Sequence, residues 1–286
     1  MKQLWKQLTD RPLLKAFLHY YKASDSELTS VAVAYYWLIS IFPILMIVVN
    51  ILPYFQIPIS NFLLTLKEFL PDTIYEVVTK IVREVLTQPS TGLLSFAILS
   101  ALWTFSKSIN FLQKAFNKAY GIAKSRGIIS HQLMSLLISL GLQVLFALAL
   151  FLSMFGHMLF DILKNYWISE NSLFTYLQDF TSPLMYAFLF AILIMLYYFL
   201  PNVKFGRIRY VLPGSLFVLI TLISLLTIFA AYFNNYVNYI VDVRFFSSIV
   251  VVVMMFWFIL IAKILIIGAV INASVQSLKD PRLRID

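Results

Sequence analysis

The stretch that decides the fold is "MMFWFILIAKILIIGAVINA", residues 254–273, whose one charged side chain is Lys263. A helix needs about 20 largely apolar residues to cross the hydrocarbon core of a bilayer. A charge near the middle of such a helix costs about 3 kcal/mol on insertion scales. The stretch therefore predicts a transmembrane helix that carries one unusual lysine.

The composition of the whole chain agrees with a membrane protein. Of its 286 residues, 61% are hydrophobic and 12% are charged, and the mean hydropathy is +0.86. Soluble domains carry about 25% charged residues, because their surfaces face water. The absence of Cys excludes disulfides, thiolate nucleophiles and Cys-ligated metals. We expect an all-α, polytopic membrane protein that forms a single membrane domain over residues 1–286.

Six stretches are long and apolar enough to span a bilayer. They are approximately 30–53, 92–112, 133–160, 182–203, 210–233 and 245–272. Residues 1–29 interleave Lys with Trp, Leu and Phe, which predicts a basic amphipathic helix on the cytoplasmic membrane surface. "SDSE" (Ser24 to Glu27) matches a capping box and predicts a new helix start. Residues 54–91 repeat apolar residues at helical spacing and predict an outer amphipathic lid, and residues 273–286 predict a cytoplasmic tail.

The basic residues predict the orientation of the spans, because Lys and Arg accumulate on the cytoplasmic side. With a cytoplasmic N-terminus, 16 of the 22 basic residues fall inside and 5 outside, and Lys263 accounts for the last. Both termini are then cytoplasmic. The same asymmetry explains the net charge of +9 through anionic lipid headgroups, without nucleic acid as a partner.

Four motifs resemble the YihY / virulence factor BrkB family. They are "VAVAYYWLISIFPIL" (31–45), "ALWTFSKSINFLQKAFNKAYGI" (101–122), "YYFLPNVKFGRIRYVLPGS" (197–215) and "ILIIGAVINA" (264–273). The resemblance covers roughly residues 25–275 and implies a six-span protein of the bacterial inner membrane. The family has been described as transporters and carries an older label, ribonuclease BN, that is generally regarded as a misassignment. This chain departs from the family at Gly268-Ala269-Val270, where the family has Gly-Ala-Glu, so a proton relay through that glutamate is not expected.

The sequence offers no catalytic motif. A metal-dependent nuclease needs clustered His and Asp ligands, whereas His19, His131 and His157 are scattered without ligand spacing. Walker A, nucleophile-elbow and HExxH patterns are absent as well. We therefore predict a protein that is not an enzyme and that needs no metal or cofactor.

Polar residues within the predicted spans are the candidate substrate path. Ser100, Trp103, Thr104, Lys107 and Asn110 follow a helical spacing in the second span. Hydrogen bonding between helices is the structural alternative for such hydroxyls.

Three further groups of residues complete the candidate set. Thr221 and Ser224 form a weaker polar stripe in the fifth span. Pro43 lies mid-span in the first, where it removes a backbone hydrogen bond and serves either packing or gating. The cytoplasmic hairpin "PNVKFGRIR" (201–209) supplies candidate contacts to lipid headgroups through Lys204, Arg207 and Arg209.

Lys263 has three possible settings. No Asp or Glu falls inside any of the six predicted spans, so an ion pair within the membrane is not expected. The side chain can snorkel to the cytoplasmic headgroups, although residue 272 is about 13 Å further along the helix at 1.5 Å per residue. It can be uncharged in a dry core, because desolvation disfavours the charged form. The third setting, which we favour, is a water-filled cavity shared with Lys107 and attractive to anions.

Two functions from different classes follow from these residues. The first is a transporter or exporter that handles a lipid-like or anionic substrate within a six-helix bundle. The second is a non-transporting membrane scaffold that recruits envelope or cytoplasmic partners. The sequence leaves the substrate, the energy source and the oligomeric state open.

Overall fold

All regular structure in the described part of the chain is helical. The computed structural model describes residues 12–51, 91–122, 186–203, 207–236 and 243–279, with residue 141 and scattered positions between 60 and 82. The helices are α1 (Pro12–Ala23), α2 (Ser26–Ile51), α3 (Thr91–Ala119), α4 (Tyr186–Phe199), α5 (Leu212–Tyr236) and α6 (Val243–Ser277). A short 3-10 turn, Ile208–Tyr210, precedes α5.

Three of these helices are long and apolar enough to cross a membrane. The qualifying segments are Ser26–Ile47, Gly92–Ala119 and Val251–Ser277, and two shorter apolar helices run over Tyr186–Phe199 and Leu212–Ile228. The prediction of an all-α membrane protein is confirmed. The count of six spans stays a prediction, because span 133–160, apart from residue 141, lies outside the described residues, as do residues 1–11, 161–181 and 280–286.

The break between α1 and α2 lies where the sequence predicted a helix start. Asp25 has a φ of 52°, in the left-handed region that interrupts a helix and that Asp tolerates better than most residues. The Ser24 hydroxyl donates to the carbonyl of Tyr21 at 2.7 Å, at the end of α1. α2 then begins at Ser26 with Glu27 in its first turn, which is a favourable position for a negative charge near a helix N-terminus.

α3 ends in a glycine-based cap. Gly121 has a φ of 67°, which a residue without Cβ adopts without strain. Its N–H donates to the Lys118 carbonyl and the Ile122 N–H to the Asn117 carbonyl, both at 2.9 Å. This pair of bonds is the Schellman motif, which satisfies carbonyls left open at the helix end.

The chain divides into two compact units. The first unit comprises Met1–Glu27, Leu112–Leu226 and Lys263–Asp286, and the second comprises Leu28–Phe111 and Thr227–Ala262. The end of α3 and the last turns of α6 therefore belong to the first unit.

Close helix packing defines the core of the first unit. A methyl group added at Gly214 would overlap the carbonyl oxygen of Gly268 and lie 2.7 Å from Cγ of Asn272. A methyl group added at Gly268 would overlap the Tyr197 hydroxyl and lie 2.5 Å from Cγ2 of Val218. Small residues let helix backbones approach this closely, which is how helices associate where water supplies no driving force.

Aromatic rings and aliphatic side chains pack the second unit. Tyr36 stacks on Phe111 with ring centroids 5.7 Å apart, and Trp37 meets Phe258 edge-on at 5.9 Å. In the predicted lid, Leu63 and Val82 are buried. The partly buried residues packed against them are Leu45 and Met46 of α2, Tyr75 and Val78.

Candidate functional site

Lys263 lies in the most apolar of the candidate spans. The segment Val251–Ser277 has a mean hydropathy of 2.7, and Lys263 is half-buried within it. Asn272 is nine residues further on, so at about 100° per residue it lies on the opposite side of α6. The lysine is therefore not on the helix face that carries the buried amides.

The buried amides of α6 occupy the face that packs against α5. Asn272 is fully buried, and its Oδ1 accepts a hydrogen bond from the Gly214 N–H at 2.7 Å. Gly214 lies in the first turn of α5, where backbone N–H groups have no partner within the helix. The asparagine thus supplies one of the missing acceptors from a neighbouring helix.

Tyr197 of α4 joins the same face of α6. Its hydroxyl donates to the carbonyl of Leu265 at 2.7 Å, and both residues are buried. The ring stacks on Phe116 of α3, with centroids 5.2 Å apart. This one side chain therefore bridges α3 and α6 within the first unit.

Two amides at the end of α3 hold the chain where α4 ends. Gln113 is buried and donates through Nε2 to the carbonyl of Leu200 at 2.6 Å. Oδ1 of Asn117 accepts a hydrogen bond from the N–H of Asn202 at 2.7 Å. Buried amides are stable in such positions because backbone groups satisfy them.

The N-terminal helix attaches to the same unit. Tyr20 is buried and forms a hydrogen bond with Ser277 at the end of α6, and burial raises the pKa of its phenol while that bond partly opposes the rise. Asp25 pairs with Lys118 at 2.9 Å, with both side chains about half exposed. Burial also raises the pKa of Tyr120 well above its ordinary value. α1 and the turn after it therefore contact the rest of the unit through a hydrogen bond at Tyr20 and an ion pair at Asp25.

Lys107 lies over an aromatic ring in the second unit. Its Nζ is 5.9 Å from the centroid of the Trp103 ring, within the range of a cation–π interaction. Tyr36 meets Trp103 edge-on at 6.3 Å. Trp103 is 59% exposed and Lys107 is half-buried, so the cation is held by the ring on an open face of the unit.

The other candidate residues of the second span differ in how their polar atoms are paired. The Thr104 hydroxyl is buried and donates to the carbonyls of its own helix, at 2.9 Å to Ser100 and 3.1 Å to Ala101. Asn110 is half-buried, and its Oδ1 is buried without a hydrogen-bond partner among the described residues. Lys107 and Trp103 interact with each other, whereas the Thr104 hydroxyl is satisfied locally.

The other predicted residues are spread over both units. Thr221 donates to the Phe217 carbonyl at 2.7 Å, and Ser224 is exposed. Pro43 is buried inside α2, which continues to Ile51. Arg207 and Arg209 are exposed, with the Arg209 guanidinium 5.6 Å from the Tyr210 ring. Lys204 lies outside the described residues.

Sequence reasoning missed the amides of α6. Asn272 and Gln276 are four residues apart, a spacing that places both on one helix face. Gly268, four residues before Asn272, continues the same face. A small residue followed by two amides at this spacing is the sequence signal that could have identified the packed face.

No group of three or more His, Cys, Asp or Glu side chains within the described ranges is placed to hold a metal ion. The described histidine, His19, is exposed on α1 and meets the Tyr20 ring edge-on at 5.3 Å.

Comparison with known protein families identifies the family of this helical membrane chain. The family model for the virulence factor BrkB matches residues 17–286. The chain belongs to the BrkB family. This confirms the resemblance that the four sequence motifs indicated over roughly residues 25–275, and it extends the match to residues 17–286.

A curated relative covers the BrkB-family chain almost completely. The ribonuclease-like protein YfkH of Bacillus subtilis (strain 168) is 28% identical over 269 residues, which are 93% of this chain and 96% of the relative. The word ribonuclease is part of the name of that relative, and it is not an activity shown for this chain. No solved structure matches the chain.

Proposed function

We propose that this BrkB-family chain is a multi-pass protein of the bacterial inner membrane that transports or exports an anionic, lipid-like substrate. Both termini lie in the cytoplasm, and the chain is not an enzyme. Lys263 is the central substrate-contacting side chain, and Lys107 provides a second positive charge.

The observation that carries the proposal is a half-buried lysine within an apolar span. The sequences of α2 to α6 contain one acidic residue, Glu27, in the first turn of α2. These helices therefore place no carboxylate beside Lys263 at membrane depth. Ionisable residues inside a membrane are rare and commonly mark substrate or ion pathways, and the counter-charge that suits a lysine is an anion brought by a substrate.

Lys107 supports the same chemistry in the second unit. Its ammonium group lies over the Trp103 ring. A cation held by a ring quadrupole keeps its full charge and can meet an anionic headgroup. The exposed indole supplies an apolar surface next to that charge, which matches a molecule with a charged head and a hydrocarbon body.

The proposed orientation of the spans rests on the distribution of Lys and Arg, since it puts 16 of these 22 residues on the cytoplasmic side of the membrane. It can be tested in this Cys-free chain with single thiols at Ser60 and Leu278 and an impermeant thiol reagent on intact cells. Ser60 is exposed and Leu278 is 46% exposed, whereas the neighbouring Ser277 is only 4% exposed and would react poorly. Labelling of Ser60→Cys alone is expected, and labelling of Leu278→Cys would contradict the orientation.

Transport can be tested in proteoliposomes that contain fluorescent phosphatidylglycerol or fluorescent phosphatidylcholine. Dithionite bleaches the outer leaflet, so the slow phase of bleaching reports movement between leaflets. The proposal expects the purified chain to accelerate movement of the anionic lipid over the zwitterionic one. Lys263→Met should remove most of that preference, and Ser40→Ala, which removes a hydroxyl bonded to the Trp37 carbonyl of its own helix, should retain it.

Rates equal to those of protein-free liposomes for both lipids would contradict transport of a phospholipid and favour the scaffold. A preference for the anionic lipid that survives in Lys263→Met would instead remove Lys263 from the substrate path.

A further inference from the structure

One side of α1 packs on the first unit, and the opposite side is open. Its buried residues, Ala16 and Tyr20, lie one turn apart, and Tyr20 forms a hydrogen bond with Ser277 at the end of α6. At about 100° per residue, Leu18 lies about 160° around the helix from each of them. Leu18 is 39% exposed. The helix therefore carries an aliphatic side chain on the side that faces away from the unit.

The open side of α1 is apolar along one edge and basic along the other. Leu14 and Tyr21 lie four residues before and three residues after Leu18, so they share its side of the helix, and both are half-buried. Lys22 and His19 lie on the other flank of Leu18, and both are exposed. An apolar edge next to a basic edge is typical of a helix that lies in the plane of a membrane interface.

The short turn before α5 repeats this combination at the same end of the unit. Ile208 is 55% exposed, and it lies between Arg207 and Arg209, which are exposed as well. The N–H of Gly214, in the first turn of α5, donates to Asn272 near the end of α6. Because α1 also contacts the end of α6, the turn and α1 lie at one end of the first unit.

This end of the first unit is strongly basic. Within the described ranges its acidic residues are Asp25 and Glu27, and Asp25 pairs with Lys118 at 2.9 Å. Seven basic residues lie at the same end: Lys15, Lys22, Lys114, Lys118, Arg207, Arg209 and Lys279. The complementary partner is therefore a surface rich in negative charge.

The exposed aliphatic side chains favour a bilayer over a soluble protein as that partner. Leu18 and Ile208 each lie close to exposed basic residues, whereas the core of a protein interface is depleted of charged residues. A bilayer accommodates the mixture, because aliphatic side chains insert below the phosphates that basic side chains contact. α6, whose end α1 contacts, is itself an apolar candidate span that ends at Ser277. This end of the unit therefore lies where the membrane meets water.

We propose that α1 and the turn before α5 together bind the headgroup layer of an anionic bilayer. The contact, here called the interfacial surface, consists of the aliphatic Leu18 and Ile208 and the basic Lys22, Arg207 and Arg209. The aliphatic side chains insert below the phosphates, and the basic side chains contact the phosphates. α1 then lies along the membrane surface with its buried side against the unit. This contact is separate from the proposed transport path through Lys263.

The depth of α1 in the bilayer can be measured with a fluorophore, because the chain has no Cys. Leu18→Cys and His19→Cys are labelled with the environment-sensitive dye NBD, and the full-length chain is placed in liposomes of phosphatidylglycerol and phosphatidylcholine. The two positions are about 100° apart around α1. NBD at position 18 should emit at a shorter wavelength and lose most of its emission to lipids brominated near the top of their acyl chains. NBD at position 19 should keep the emission that it has in water.

The preference for anionic lipid is measured with the same probe. In an equimolar mixture, either phosphatidylglycerol or phosphatidylcholine carries the bromine, and the ratio of the two quenching effects reports which lipid surrounds position 18. With Lys22 present, the ratio should favour phosphatidylglycerol. Lys22→Gln should lower the ratio by up to about fivefold, the effect of one basic side chain near an anionic surface. Lys80→Gln, which removes an exposed lysine of the predicted lid in the second unit, should leave it unchanged.

Ile208→Cys tests the other part of the interfacial surface and does not depend on the folding of Leu18→Cys. NBD at position 208 should be quenched as it is at position 18. Arg209→Gln should lower the phosphatidylglycerol ratio there, for the same reason as Lys22→Gln at position 18.

Water-like emission at positions 18 and 208 would overturn the proposal and leave the interfacial surface to a soluble partner. Equal quenching at positions 18 and 19 would also overturn it, because α1 would then not turn one side to lipid. A ratio of one, or a ratio that Lys22→Gln and Arg209→Gln leave unchanged, would contradict the anionic preference.

The quenching is measured at equilibrium and requires no transport. Lys263→Met should therefore leave the quenching and the lipid ratio unchanged at positions 18 and 208. The interfacial surface and the proposed transport function can thus be refuted separately.

Discussion

The two halves of the span Val251–Ser277 in α6 differ in their residues and in their surroundings. In the apolar half, residues 251–262, Val251, Val252, Val253 and Phe256 are between 46% and 67% exposed. In the packed half, residues 263–277, the burial is nearly complete at Ile266, Ala269, Val270, Asn272, Ala273 and Gln276. One continuous helix thus has a half with a large open apolar surface and a half enclosed by its own unit.

Residue size and hydrogen-bonding capacity explain the difference better than hydrophobicity. Gly268, Ala269 and Ala273 let neighbouring helices approach the packed half, and Asn272 gives that contact a hydrogen bond. The apolar half has branched and aromatic side chains, which suit lipid as well as protein. Because lipid tails are as apolar as Val or Phe, helices in a membrane associate through close packing and polar contacts.

The largest effect is expected from filling the close contact of the packed half. Gly214→Ala would place a methyl group against the backbone carbonyl of Gly268, which cannot move without shifting the helix. We expect a loss of about 3 kcal/mol, the upper end of what overpacking costs. Thermal unfolding of the purified protein in detergent measures it. Gly141→Ala, with nothing within 4 Å of the new methyl group, should not lower the unfolding temperature, and equal losses in both variants would contradict the packing.

A smaller effect is expected from Asn272→Leu, which removes the acceptor for the Gly214 N–H. Loss of a capping acceptor in a buried position costs about 1–2 kcal/mol. Tyr197→Phe removes a hydroxyl donor to Leu265 and should cost about 1 kcal/mol. Thermal unfolding of the two purified variants in detergent measures both losses. If Asn272→Leu is as stable as the wild type, the hydrogen bond between the Gly214 N–H and Asn272 contributes nothing to stability.

Alkaline pH should destabilise the unit that contains the packed half. Burial raises the pKa of Tyr120 above its ordinary value, so the folded chain holds that proton more tightly than the unfolded chain. The stabilisation is complete below the unfolded pKa of about 10 and is lost as the pH rises toward the folded value. The unfolding temperature should therefore fall above pH 10, and less steeply in Tyr120→Phe. Identical pH profiles for the two proteins would show that Tyr120 does not contribute to the fall in the unfolding temperature.

The smallest effect is expected in the apolar half. Phe256 is 66% exposed, so Phe256→Ala removes few contacts within the protein and should change the free energy of unfolding by no more than about 0.5 kcal/mol. A loss comparable to that of Gly214→Ala would mean that this surface packs against protein, and crosslinking in the membrane would then identify a second copy.

The sequence predicted the helical membrane class and the family correctly, because both follow from long apolar stretches and local motifs. It did not show which polar side chains at the end of α3 are buried and which are exposed. Asn117 is buried, but Lys114 and Lys118 are exposed. Residues at three- and four-residue spacing span a broad arc, and long lysine side chains at its edge reach water while shorter amides pack inside.

Lys263 could be found from the sequence, but its surroundings could not. A single charge in an apolar run is visible without a structure, whereas the partner of a helix face depends on contacts between residues distant in the chain. The hydrogen bond between Gly214 and Asn272 joins residues 58 positions apart, and no local spacing predicts it.

The proposed anion path requires that water reach position 263 from the membrane interface. A single thiol, Lys263→Cys, can be treated in inverted membrane vesicles with a charged, membrane-impermeant methanethiosulfonate, which reacts with the ionised thiolate and hence with thiols in water. Val252→Cys in the exposed apolar half is the lipid-facing control, and Leu278→Cys beyond α6 is the water-facing one. Labelling is expected at positions 263 and 278, and no labelling is expected at position 252. A thiol at 263 as unreactive as the one at 252 would place Lys263 in lipid or in a dry core and contradict the proposed anion path.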